Sequence, residues 1–331
     1  MKPYVYITRK LPEALVKPLQ EKFNVNMWEH DDIPVPRDVL LEEAKKANAL
    51  FTVLADSIDD QVLTAGNHLK VVANLAVGFN NIDLETASKK GIAVCNTPDV
   101  LTDTTADLAF ALLMAAARRM IEAAEFVKEG KWLAWNPFLM AGTDIHHKTL
   151  GIVGMGRIGE TVAKRATGFD MNTLYYNRTR KPEAEKQLGV QYSSFDELVE
   201  KSDFIVCLTP LTHETKNLFT REVFQKMKPS AIFINVSRGA VVDEQALQEA
   251  LEAGEIAGAG LDVFQKEPIS SDHPLVKLPN VVALPHIGSS SVETRTAMIQ
   301  LCIENIIAVL EEKEPKTLVN KDWRPLVKGL K

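Results

Sequence analysis

Residues 149–166 read TLGIVGMGRIGETVAKRA: a β-branched apolar run, glycines at Gly154, Gly156 and Gly159, then an amphipathic stretch. Few local patterns restrict a fold so tightly. The run predicts a buried strand, the G-x-G-x-x-G spacing a sharp turn, and the residues after it a helix. A strand leading straight into a helix implies a parallel neighbour, because the helix carries the chain back along the sheet. The first glycine permits the tight turn, the second lets a ligand reach the backbone, and the third allows close helix–strand packing. Arg157 and Ile158 open the helix, whose free N–H groups and positive dipole end favour an anion. A dinucleotide pyrophosphate is the expected ligand. AGAGLDVF also contains G-x-G, at Gly258 and Gly260, but it lacks the third glycine and enters a strand. It is rejected as a nucleotide loop.

The same alternation runs along most of the chain. YVYIT, VNMW, ANALFTVL, KVVANLAV and GIAVCN read as strands in the first hundred residues, with LPEALVKPLQEKF and RDVLLEEAKKA as helices between the earlier ones. A helical segment is expected from about Asp103 to Glu129. A second series follows at TLGIVGMG, NTLYYN, DFIVCLT, AIFINVS, AGAGLDVF and VVALPH, and ETRTAMIQLCIENIIAVLEE reads as a last long helix. Strands apolar on both faces are those of parallel sheets covered on both sides. At 331 residues the chain is too long for one core, so two α/β domains with doubly wound parallel sheets are expected.

In a dinucleotide site an acid at the end of the next strand holds the ribose hydroxyls, about 20 residues on. Here that strand is NTLYY, and the stretch after it is Asn177, Arg178, Thr179, Arg180 and Lys181. A carboxylate would repel a 2′-phosphate, whereas arginine binds one through charge-assisted hydrogen bonds and Thr179 adds a hydroxyl. NADPH is the preferred cofactor on this reading, with NADH possible. The basic patch stands out in a chain of net charge −6, which suits a small anion and gives no support for nucleic-acid binding. Cys95, Cys207 and Cys302 are scattered and odd in number, so a reducing, cytoplasmic compartment is expected. No apolar run is long enough for a bilayer span, and MKPYVYITRKLPEALV reads as a strand and helix rather than a signal peptide.

Three later strands end in residues of catalytic type: Arg238 in NVSRGAVVDE, Glu267 in DVFQKEP and His286 in LPHIGSSS. Each alone is ambiguous, since a lone histidine is more often a core or capping residue. Ligands of open α/β sheets bind at the carboxyl ends of strands, and a base, an acid and a cation there form a less accidental set. A histidine can deliver a proton to a carbonyl oxygen at neutral pH, a carboxylate beside it stabilises the imidazolium, and an arginine can polarise a carbonyl or grip a carboxylate. His146 and His147 have no partners at metal spacing and read as surface or interface residues; no metal is expected.

Together these pieces, with NLAVGFNNID, NTPDVLTDTTADLAFALLMAAARR and EGKWLAWNPFLMAG, resemble the D-isomer-specific 2-hydroxyacid dehydrogenase family, and within it the glyoxylate/hydroxypyruvate reductases. The resemblance covers essentially the whole chain. It implies His286 as proton donor, Glu267 as its carboxylate partner and Arg238 as the substrate-binding cation. It further implies substrate binding by the backbone N–H groups of Val77 and Gly78, and cofactor binding by Thr105, Val236, Ser237, Asp262 and Gly288. The family fold implies a discontinuous substrate domain, 1–100 plus 287–331, with an inserted cofactor domain, 101–286, and a site in a cleft between them. A homodimer is implied, in which a loop carrying Trp132 and Trp135 reaches the partner's site, Trp135 contacting substrate. Ordinary packing explains those tryptophans equally well. Asn177 with Arg178 departs from NAD-using members, which carry an acid there.

The leading expectation is therefore an NADPH-dependent reductase of glyoxylate and hydroxypyruvate, yielding glycolate and D-glycerate. The competitors are a sibling acting on another 2-keto acid, a phosphorylated hydroxyacid, phosphite or formate, and a cofactor-sensing corepressor. A pure sensor has no need of a proton donor.

Overall fold

The structure, a computed structural model, describes residues 2–323. The chain forms two compact units, one from residues up to 101 together with those from 291, the other from residues 102–290. The boundaries expected from sequence were 100/101 and 286/287; residue 1 and residues 324–331 of the expected substrate domain lie outside the described residues.

The first unit holds five strands, β1 (Tyr4–Ile7), β2 (Asn24–Met27), β3 (Ala49–Val53), β4 (Val71–Leu75) and β5 (Ala93–Cys95). All pair in parallel in the order β2-β1-β3-β4-β5. Their side chains alternate between faces with the two-residue period of a strand. Tyr6, Leu50, Val72 and Val94 meet Leu40, Ala44, Val62 and Leu63 of the helices Arg37–Lys46 and Asp60–Ala65. The long helix Val292–Leu310 packs on β3, β4 and β5, burying Met298, Cys302, Ile303 and Ile306.

The second unit holds seven: β6 (Thr149–Val153), β7 (Asn172–Tyr176), β8 (Gln191–Tyr192), β9 (Phe204–Cys207), β10 (Ile232–Asn235), β11 (Gly258–Leu261) and β12 (Val281–Ala283). Their order is β12-β11-β10-β9-β6-β7-β8, again all parallel. Phe204 and Val206 enter one core with Leu112, Leu113 and Val162, while Ile205 and Cys207 enter the other with Phe219, Phe233 and Leu247. Both faces are covered, which is why these strands read as unbroken apolar runs. From β6 the chain steps first to β7 and β8 on one side, then back to β9 on the other. That reversal makes the carboxyl end of β6 a topological switch point, where such sheets bind ligands.

Two expectations are corrected. The helix expected from Asp103 to Glu129 is two helices, Thr102–Ala117 and Met120–Lys128, with Arg119 between them in the left-handed region at φ 53°. A distant segment ends the first: Thr143 N–H donates to Ala117 O at 2.8 Å, and a side chain at Gly142 would meet that same oxygen at 2.3 Å. The two-residue strand β8 was not foreseen, being too short to carry a period.

Candidate active site

The glycine turn follows β6 directly. Gly154 has φ +104°, and a Cβ there would come within 2.9 Å of Leu208 and Thr209 backbone atoms. A Cβ on Gly159 would meet Gly154 O at 2.4 Å, so the helix Arg157–Ala166 lies against the turn as closely as backbone permits. Gly156 is different: a Cβ there would meet nothing within 4 Å. Gly156 is also the N-cap, and it supplies no side-chain cap to the helix. Asp59, Asp83, Ser194, Asp243 and Ser291 do cap theirs, each worth about 1 kcal/mol. Open space over an uncapped helix start fits a pyrophosphate.

The basic stretch after β7 is tied to this turn, because Gly154 N–H donates to Tyr176 O at 2.9 Å. Its three cations differ in standing. Arg180 forms a two-pronged pair with Glu185, Nε and Nη2 each at 2.8 Å, and Glu185 also accepts from Tyr175 Oη at 2.7 Å. The Arg180 guanidinium and the Tyr175 hydroxyl pull the Glu185 carboxyl down to about 2. Lys181 lies 3.6 Å from Glu160. Arg178 is exposed and makes no hydrogen bond or ion pair among the described residues. Asn177 turns its amide inward to Thr179 O at 2.8 Å. Of the three, the cationic group open to a ligand is thus Arg178, the one the sequence reading assigned to the cofactor.

At the other end of the sheet, β10, β11 and β12 are neighbours, so the loops leaving them meet. His286 Nδ1 lies 2.7 Å from Glu267 Oε2. Glu267 Oε1 accepts from Phe264 N–H at 2.9 Å, which fixes the carboxylate in its own turn. Burial raises the Glu267 pKa, but the His286 hydrogen bond and charge, the Phe264 N–H and the Arg238 charge outweigh it and leave the net shift downward. Burial lowers Arg238, and the Glu267 charge opposes that. Because the folded Glu267 pKa is depressed, the stability it contributes is present above the unfolded value of ~4.3 and is lost as pH falls through the folded one. Melting temperatures of the wild type and Glu267→Gln should therefore differ at neutral pH and converge in acid; a constant gap would show that the pair contributes nothing through ionisation.

His286 itself has φ 55°, an uncommon conformation for a side-chain-bearing residue. Asp262, 1 % exposed, holds it there: Oδ1 accepts from Ile287 N–H at 2.7 Å and Oδ2 from Gly288 N–H at 2.8 Å. Burial raises the Asp262 pKa against the pull of these N–H groups and of His286. Thr105, Val236 and Asp262 crowd Gly288 closely enough that a Cβ there would meet all three within 3.5 Å. Ser237 Oγ lies 3.4 Å from Cys207 Sγ, whose thiol burial pushes up to about 11, leaving it an inert packing group. Sequence reading missed Asn235. Its Oδ1 accepts from Ser237 N–H and Oγ, and its Nδ2 donates to Arg238 O at 3.1 Å, so it shapes the turn that presents Arg238. The available signal was a polar residue closing the buried run IFIN.

Two clusters therefore form within the second unit, one of Gly154–Gly159 with Asn177–Thr179, the other of Arg238, Glu267 and His286 beside Asp262, Gly288, Thr105, Val236 and Ser237. Val77 and Gly78 stand in the first unit, on the loop after β4. Trp135 is 78 % exposed beside Trp132, Leu133 and Phe138, and joins neither cluster. Among the described residues no group of three or more His, Cys, Asp or Glu could hold a metal ion.

A dinucleotide turn at a switch point and a histidine–carboxylate pair with an arginine on the same sheet are the equipment of an NAD(P)-dependent oxidoreductase acting on a CH–OH group. Residues 110–288 match the family model described as D-isomer specific 2-hydroxyacid dehydrogenase, NAD binding domain. The chain is 50 % identical over 323 residues to a glyoxylate reductase of Korarchaeum cryptofilum and 49 % identical over 326 residues to one of Pyrococcus horikoshii, covering 97 % of this chain and of each relative. Among solved structures it is similar to the NADPH-dependent glyoxylate/hydroxypyruvate reductase of Sinorhizobium meliloti in complex with NADP and malonate, with TM-score 0.85 and 33 % identity over 96 % of this chain and 97 % of that one. The chain belongs to the D-isomer-specific 2-hydroxyacid dehydrogenase family. Among the described residues no helix is long and apolar enough to cross a membrane.

Proposed function

We propose that the protein reduces glyoxylate to glycolate, and hydroxypyruvate to D-glycerate, with NADPH as the preferred reductant. The observation that carries this reading is the 2.7 Å contact between His286 Nδ1 and Glu267 Oε2, in the cluster that also holds Arg238. Bound, the reduced nicotinamide supplies a hydride to the keto carbon. His286, held through Nδ1, has Nε2 left to donate the proton to the carbonyl oxygen. Glu267 keeps the imidazole oriented through its contact with Nδ1. Arg238 polarises the carbonyl and grips the carboxylate, and the backbone N–H groups of Val77 and Gly78 are the further carboxylate anchor. The activity for which the similar reductases of Korarchaeum cryptofilum and Pyrococcus horikoshii are named supports glyoxylate as a substrate. The three buried, unpaired cysteines support a cytoplasmic setting. The exposed run Trp132, Leu133, Trp135 and Phe138 supports a homodimer in which Trp135 serves the partner's site.

A steady-state panel of glyoxylate, hydroxypyruvate and pyruvate with each cofactor tests the reading. Glyoxylate or hydroxypyruvate with NADPH should give the highest kcat/KM; preference for pyruvate with NADH would overturn it. Arg178→Ala tests the cofactor assignment separately. It should weaken NADPH by about tenfold or more, the worth of a lost charge-assisted hydrogen bond, and leave NADH within about twofold. Equal losses in a nicotinamide-fluorescence titration would show that Arg178 does not read the 2′-phosphate.

A further inference from the structure

Strand β4, VVANL, is buried throughout, yet carries an asparagine, Asn74, as its fourth residue. A polar side chain in such a place is costly unless its hydrogen bonds are met. Asn74 meets them: its Oδ1 accepts from Thr52 Oγ1 at 3.0 Å, and its Nδ2 donates to Asn81 Oδ1 and to Gly78 O, each at 3.1 Å. Asn96, just past β5, donates from Nδ2 to Val77 O at 2.8 Å and is itself held where its carbonyl accepts from Thr317 Oγ1. Thr97 N–H donates to Ala76 O at 2.8 Å.

Three successive carbonyls, of Ala76, Val77 and Gly78, are thus each anchored. In a planar trans peptide the C=O of one residue and the N–H of the next point in opposite directions. Anchoring Ala76 O therefore turns Val77 N–H away from the anchor, Asn96 does the same for Gly78 N–H, and Asn74 for Phe79 N–H. None of these three N–H groups has an acceptor among the described residues. Val77 and Phe79 are 37 % and 38 % exposed. Successive free N–H groups are an anion-binding device.

We propose that Asn96 and Asn74 are positioning residues that hold this loop open as a carboxylate site, and that Phe79 N–H is a third donor in it. The inference rests on the reading above, in which Val77 and Gly78 meet the substrate carboxylate. It is tested on the full chain with Asn96→Ala and Asn74→Ala, using oxamate, an unreactive carboxylate analogue of a 2-keto acid, as the calorimetric probe in the presence of NADPH. Each variant should bind oxamate about tenfold more weakly and raise KM for glyoxylate similarly, with kcat and the NADPH Kd within about threefold. Asn74 is fully buried, so if its variant does not fold, Asn96→Ala alone decides. A variant that lowers Tm but binds oxamate as tightly as wild type has lost only structure and overturns the inference. If wild type fails to reduce glyoxylate, the reductase reading falls; a weakened oxamate affinity in Asn96→Ala would still support the carboxylate site, for a different acid.

Discussion

His286→Gln should lower kcat for glyoxylate by roughly 10²–10⁴-fold, the range a positioned general acid supplies, while NADPH binds with nearly unchanged affinity. Glutamine can fill much of the same space and can still approach Glu267, so neither the β12 loop nor the Asp262 clamp on Ile287 and Gly288 is removed. What disappears is the ring nitrogen that, in the proposed mechanism, passes a proton to the carbonyl oxygen. The glycine turn at Gly154–Gly159 follows a different strand and should not register the change. Steady-state kinetics beside a cofactor fluorescence titration separate the two effects. Near-normal turnover would remove His286 from the mechanism, and a parallel loss of NADPH affinity would mean the substitution had disturbed the cofactor site.

Gly239→Ala should destabilise the chain by about 3 kcal/mol, the upper part of the range for overpacking a closely packed site. Its Cβ would fall 1.8 Å from Phe264 C, 2.1 Å from Phe264 O and 2.2 Å from Gln265 N. These are backbone atoms, so no rotamer change relieves the clash, and the loop itself must move. That loop carries Glu267, whose carboxylate is fixed by Phe264 N–H, and Gly239 adjoins Arg238. Activity should fall with stability for this reason. Urea unfolding reports the first and kcat/KM the second; an unchanged midpoint would show that the two loops do not pack this closely.

Much of this was legible in the chain because backbone needs dictate residue type. Gly154 and Gly159 are placed by sterics that no side chain satisfies, and the apolar runs of the strands betray a sheet covered on both faces. Arg238, Glu267 and His286 could be grouped because adjacent parallel strands end at one edge, where their following loops must meet. Other features depended on partners distant in sequence. Nothing near Arg119 signals a helix break, since Gly142 and Thr143 impose it from more than 20 residues away. Arg178, Arg180 and Lys181 look alike in sequence; only the fold brings Glu160 and Glu185 to two of them and leaves the first exposed. Asn74 and Asn96 sit in runs that read simply as strand and turn, and their meaning lies in which carbonyls they reach.

The most direct test of the account is to supply NADPH deuterated at the transferable position of the nicotinamide and to analyse the glycolate formed from glyoxylate. Glycolate carrying the deuterium on its carbinol carbon is expected, in amounts matching the NADPH consumed. Glycolate without the label, or NADPH consumed with no glycolate, would contradict it.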